Sequence, residues 1–66
     1  MNFDRIQGNW KQLEGEARKK WGQLTQDDLK EVAGDHEKLI GRIQARYGKE
    51  RDEAEREVEN WVKSLS

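Results

Sequence analysis

Residues 8–22 read GNWKQLEGEARKKWG, and residues 34–48 read GDHEKLIGRIQARYG. Both segments begin with glycine, carry a second glycine at their midpoint and end with an aromatic residue followed by a third glycine. Leucine precedes the middle glycine by two residues in each segment. This agreement predicts an internal repeat of two related helical units, which is too few for a solenoid because solenoids need at least about three repeats.

The apolar residues around the first segment recur at steps of three and four, which is the period of one face of an α-helix. They are Ile6, Trp10, Leu13, Ala17, Trp21 and Leu24. We expect one amphipathic helix that starts near Asn2 or Asp4 and stops at Gly22, because glycine favours the left-handed conformation that closes helices.

Three more helices are expected downstream. Thr25 and Asp28 form a capping-box pattern at the start of a short helix that Gly34 ends. Asp35 is a favourable N-cap for a helix that runs to Gly48. A fourth helix is expected over residues 49–65, and no segment alternates with a period of two. The sequence therefore predicts an all-α fold, a small bundle of about four helices arranged as two helical hairpins.

Gly15 and Gly41 fall in the middle of predicted helices, where glycine costs about 1 kcal/mol relative to alanine. Both lie opposite the apolar stripe of their helix. We expect either close backbone packing inside the bundle or a local bend, or else a contact line for a partner, with neutral drift or deliberate flexibility as the remaining explanations. These two glycines are the candidate site residues of the chain.

Composition excludes several classes of protein. The chain has 66 residues, 41% of them charged, with 13 basic and 14 acidic side chains and no cysteine. Such a length predicts a single domain over residues 1–66. Without cysteine there is no disulfide framework and no thiolate site. No apolar run exceeds two residues, so we expect no membrane insertion and no signal-peptide core.

Catalytic chemistry finds little support in the residues. The chain has one histidine, His36, and its two serines are Ser64 and Ser66, so a Ser/His nucleophile is not indicated. Neither GxGxxG nor GxxxxGK[ST] occurs, and the acidic residues do not follow a calcium-loop pattern. We expect a protein that is not an enzyme, with no cofactor, no metal and no small-molecule substrate.

Basic residues cluster in two places, as they do in proteins that bind nucleic acid. One is the run 18–20, and the other consists of Lys38, Arg42, Arg46, Lys49 and Arg51. The formal net charge is nevertheless −1, and the acidic run over residues 50–59 would repel a phosphate backbone. The charge pattern therefore argues against nucleic acid as a partner.

The motifs over residues 8–29 and 34–61 closely resemble the CsbD-like family of small bacterial stress proteins. The heptad glycines, WGQLTQDD at residues 21–28 and IQARYG at residues 43–48 carry the likeness, although Arg18 stands where that family often has lysine. The resemblance implies a helical bundle grouped with SAM-domain-like folds and a cytoplasmic protein of general stress. It brings no catalytic residues.

Two functions are expected on these grounds. The first is a non-enzymatic bacterial stress-response protein, a hydrophilin-type protectant that stays soluble under water loss. The alternative is a small helical binding module that uses the outer glycine faces to contact a protein or nucleic-acid partner. The partner itself is not indicated by the sequence.

Overall fold

The computed structural model describes residues 3–65 and contains five helices and no strand over that range. The helices are α1 (Phe3–Gly8), α2 (Trp10–Lys20), α3 (Gln26–Val32), α4 (His36–Tyr47) and α5 (Arg51–Ser64). The predicted all-α class is thereby confirmed. The count of four is not, because the first predicted helix is two helices.

The break between α1 and α2 lies at Asn9, whose φ of −114° and ψ of 20° are outside the helical range. Its side-chain Nδ2 donates to the carbonyl oxygen of Arg5 at 3.0 Å, and its backbone N–H donates to the same oxygen at 3.1 Å. Asparagine competes in this way with the helical ladder. Asp4 lies in the first turn of α1, whereas Asn2, the other predicted start, lies outside the described residues.

Both predicted N-caps are present. Thr25 Oγ1 accepts from the backbone N–H of Asp28, and a carboxylate oxygen of Asp28 accepts from the N–H of Thr25, both at 3.0 Å. Asp35 Oδ1 accepts from the N–H of Lys38 at 3.0 Å. These bonds satisfy N–H groups that the first turns of α3 and α4 leave without a helical acceptor.

The helix ends follow the predictions less closely. Gly48 closes α4 in the left-handed conformation, with a φ of 66°. At the end of α3 that conformation begins one residue early, at Ala33 with a φ of 50°, and continues into Gly34. The first long segment ends at Lys20 with Trp21 as its C-cap, not at Gly22. The two predicted repeat units therefore end in different ways, and the paired-hairpin, SAM-domain-like arrangement stays a prediction.

The core consists of thirteen apolar side chains, each at most 6% exposed, and three tryptophans form its aromatic part. The ring of Trp61 on α5 meets Trp10 and Trp21 edge-on, at centroid distances of 6.3 Å and 5.2 Å. Such geometry is favourable for aromatic pairs. The other core residues are Ile6, Ala17, Leu24, Leu29, Val32, Leu39, Ile40, Ile43, Ala54 and Val58.

Helix α4 packs against both α3 and α5, and side-chain bonds join the loop that follows α2 to the end of α4 and to α5. The hydroxyl of Tyr47 accepts from the backbone N–H of Gln23 at 3.1 Å. The indole of Trp21 donates to Glu57 on α5 at 3.3 Å. The outer face of α4 is left open by this packing.

Candidate functional site

Gly15 and Gly41, the two site residues selected from the sequence, are both exposed. A Cβ added at either position would meet no atom within 4 Å outside its own helix. Close packing inside the bundle is therefore wrong as an explanation of these glycines. A contact with a partner at either position stays a prediction.

Gly41 lies in a surface groove of about 560 Å³. The groove is lined by Glu31 of α3 and by Lys38, Gly41, Arg42 and Ala45 of α4. Gly41 and Ala45 are one turn apart, so the helix backbone is covered there by a hydrogen atom and a methyl group only. The structure thus gives Gly41 a concave setting, and it places Gly15 separately, on the exposed face of α2.

Two residues that line the groove, Glu31 and Arg42, belong to a cluster of ion pairs between α3 and α4. Arg46 donates from Nε and Nη2 to the two carboxylate oxygens of Asp28, each at 2.9 Å. Arg42 Nη1 lies 3.4 Å from Asp28 Oδ1, and its Nη2 pairs with Glu31. Asp28 is only 3% exposed, whereas the side chain of Arg46 is 46% exposed, so the bidentate pair buries its carboxylate and leaves its guanidinium partly in solvent.

The sequence pattern predicts only a capping role for Asp28, and it does not predict this cluster of ion pairs. The signal was present, because Asp28 precedes the buried Val32 by four residues and therefore shares its face. Arg42 and Arg46 are likewise one turn apart on α4. An acid on an apolar face opposite an i,i+4 pair of arginines indicates an ion pair, but only once the two helices are known to be neighbours.

The environment of Asp28 strongly favours its charged form. The hydrogen bond from Arg46, followed by the backbone N–H of Thr25, lowers the pKa of Asp28 from 3.8 to about 2, against the opposing effect of burial. The same hydrogen bond with Asp28 raises the pKa of Arg46. Both shifts have the sign expected of an ion pair that stabilises the folded chain.

The second basic region predicted from the sequence is largely neutralised within the chain. Besides Arg42 and Arg46, Lys49 pairs with Glu57, and Arg51 pairs with Glu37 at 2.6 Å and with Glu55 at 3.6 Å. Lys38 is the member of that region that forms no ion pair among residues 3–65. A phosphate backbone would have to compete with these carboxylates, which disfavours nucleic acid at this surface.

Glu57 is part of a small polar cluster where α5 meets the loop after α2. Burial by itself would raise the pKa of Glu57, but the hydrogen bonds from Lys49 and Trp21 lower it. The ammonium of Lys49 also lies 5.2 Å from the ring centroid of Tyr47, within the range of a cation–π contact. These contacts join the loop after α2 and the loop between α4 and α5 to helix α5.

The single histidine belongs to a second, more apolar hollow of about 300 Å³. The ring of His36 lies 4.6 Å from that of Phe3. The remaining lining consists of Val58, Glu59, Val62 and Lys63.

Within residues 3–65 no group of three or more acidic or histidine side chains is arranged to hold a metal ion. The helices in that range are also too short or too polar to cross a membrane.

Fold and surface together define a small, all-helical, charge-rich protein in which ion pairs cluster along α4 and at the start of α5. The CsbD-like family profile matches residues 4–56. The chain belongs to the CsbD-like family.

Three relatives illustrate the similarity. The UPF0337 protein ECA0631 of Pectobacterium atrosepticum is 52% identical over 61 residues, covering 92% of this chain and 88% of the relative. The UPF0337 protein YjbJ of Escherichia coli K12 is 48% identical over the same shares of both chains. The UPF0337 protein XAC4007 of Xanthomonas axonopodis pv. citri is 52% identical over 65 residues, covering 98% and 94%. Neither the family description nor these names assigns a reaction.

Proposed function

We propose that this chain is a non-enzymatic stress-response protein of the cytoplasm that protects other macromolecules while it remains folded. The observation that carries this proposal is the separation of apolar and charged groups. The core residues are at most 6% exposed, while 13 basic and 14 acidic residues make up much of the remaining chain. Such a surface holds water strongly and presents little apolar area for aggregation.

The pairing of these charges supports the same function. Arg42, Arg46, Lys49 and Arg51 are all bonded to carboxylates of their own chain. Basic side chains that are paired in this way, on a chain with a formal net charge of −1, attract neither nucleic acid nor acidic proteins strongly. Such pairing suits a hydrophilin-type protectant, which must stay between other macromolecules at high concentration without binding them.

The direct test is to dry or freeze a labile enzyme in the presence of this protein and measure the activity that returns. An equal mass of an unrelated small helical protein serves as the control for bulk protein. We expect the enzyme to keep more activity with this chain than with the control. Equal losses in the two samples would contradict the proposal.

A second candidate function, a binding module for a protein partner, is favoured by the groove at Gly41. A partner helix could bring its backbone close to Gly41 and Ala45 while one of its carboxylates meets Lys38. The sequence resemblance between the two repeat units offers a matched pair of variants. Gly41→Leu fills the groove, and Gly15→Leu places the same side chain on the open face of α2.

The test of that second function begins with any protein that co-purifies with the chain from stressed cells and is then made in pure form. Its affinity is measured for the wild type and for both leucine variants. If the groove is the docking surface, Gly41→Leu loses the interaction and Gly15→Leu keeps it. Equal affinity for all three proteins would contradict docking at the groove.

A further inference from the structure

Asp28 is the charged side chain that the core encloses among residues 3–65. Its Oδ2 accepts from Arg46 Nε at 2.9 Å and from the N–H of Thr25 at 3.0 Å. Its Oδ1 accepts from Arg46 Nη2 at 2.9 Å and lies 3.4 Å from Arg42 Nη1. One carboxylate thus joins the first turn of α3 to two successive turns of α4.

Protonation is incompatible with this set of bonds. A neutral carboxyl group carries a hydrogen on one oxygen, and both oxygens of Asp28 already face two N–H donors. The added proton would therefore displace at least one donor and remove the charge that attracts the guanidinium groups. The side chains of Arg42 and Arg46 are 36% and 46% exposed, so both can turn into solvent once they are released.

We propose that Asp28 is an acid-operated latch between α3 and α4: ionised, it holds the N-terminus of α3 against α4, and protonated, it releases that contact. The groups that face it are Arg42 and Arg46 from α4 and the Thr25 cap from α3, with Glu31 reaching the cluster only through Arg42. Guanidinium groups stay charged throughout the acid range. The latch therefore responds to the charge of Asp28.

The pH window follows from the direction of the shift. The pKa of Asp28 is lowered from 3.8 to about 2 by the hydrogen bond from Arg46 and by the Thr25 N–H. For a carboxyl group with a lowered folded-state pKa, the stabilisation is complete above the unfolded-state pKa and is lost as the pH falls through the folded-state value. The folded chain therefore keeps the latch closed down to about pH 2, whereas the stability that the latch contributes declines from about pH 4 downwards.

The experiment compares urea unfolding of the wild type, Asp28→Asn and Asp27→Asn between pH 7 and pH 2, followed by helical circular dichroism. Asparagine keeps an acceptor for the Thr25 N–H but not the charge. Asp27, the adjacent and exposed carboxylate, is the matched control. At pH 7 we expect Asp28→Asn to raise the unfolding equilibrium constant about tenfold to a hundredfold, and this gap should shrink steadily towards pH 2. Asp27→Asn should follow the wild type.

The latch is overturned if Asp28→Asn matches the wild type at pH 7, if the gap is undiminished at pH 2, or if Asp27→Asn shows the same loss. If Asp28→Asn fails to fold, a carbon-13 NMR titration of the carboxyl groups in the wild type decides. A midpoint for Asp28 below 3.8 supports the latch, and a midpoint at 3.8 or above overturns it.

Discussion

The indole Nε1 of Trp10 donates a buried hydrogen bond of 2.8 Å to the backbone oxygen of Leu29, which lies 19 residues further along the chain. The same oxygen also accepts the N–H of Ala33 at 3.2 Å, the bond that closes α3. Trp10 therefore fixes the start of α2 to α3 by a direction-specific bond as well as by burial of its ring. Because a core this small contributes only a few kcal/mol of net stability, one such hydrogen bond is a sizeable part of it.

Replacing Trp10 with phenylalanine should lower the free energy of unfolding by more than the same change at Trp61. Both tryptophans belong to the core and their rings are in contact, so both variants lose similar apolar area. The indole of Trp61 donates to no residue within the described range 3–65, whereas that of Trp10 does. The expected excess loss in Trp10→Phe is about 1 kcal/mol, measured by urea unfolding. Equal losses would show that the bond to Leu29 contributes nothing.

Gly15→Ala and Gly41→Ala should each stabilise the protein by about 0.5–1 kcal/mol. Both glycines lie inside helices with open space where the methyl group would go. Alanine restricts the unfolded chain and favours the helix at no steric cost. Thermal unfolding of the two variants checks this. A decrease in stability at either position would contradict this prediction.

Gly34→Ala should act in the opposite direction and lower the stability by more than about 1 kcal/mol. Gly34 has a φ of +79°, and a Cβ there would lie 2.7 Å from the Cα of Gln7. Backbone cannot move aside as a flexible side chain can, so α1 would be displaced. Gly48→Ala is the control. Gly48 also has a positive φ, of +66°, but a Cβ added there would meet no atom within 4 Å. If the two variants lose the same stability, the contact with α1 is not responsible.

Much of the fold could be predicted because its signals are local. The capping residues Thr25 and Asp35, the closing glycine Gly48 and the apolar stripe of each helix act over one or two turns, which a single sequence displays. The break at Asn9 escaped prediction because the stripe continues through it from Ile6 to Trp10. A hydrogen bond from a side chain to the preceding turn leaves no mark on apolar periodicity.

The candidate site was predicted only in part. Gly41 was selected as a costly mid-helix glycine, but the groove around it depends on the packing of α3 beside α4, which helical periodicity does not give. The pair of Asp28 and Arg46 joins residues 18 positions apart. Its partners could be chosen only after the two helices were placed side by side. Long-range polar pairs of this kind are set by tertiary packing and not by local pattern.

The proposed function requires that the folded surface, and not composition alone, protects other macromolecules. The measurement that tests it most directly is the activity recovered by a labile enzyme after drying with equal masses of the wild type and of Ile43→Asp. Ile43 is fully buried, and an unpaired charge there should unfold so small a domain while leaving its composition nearly unchanged. Circular dichroism verifies that state. We predict clearly higher recovery with the wild type; equal recovery would contradict the claim.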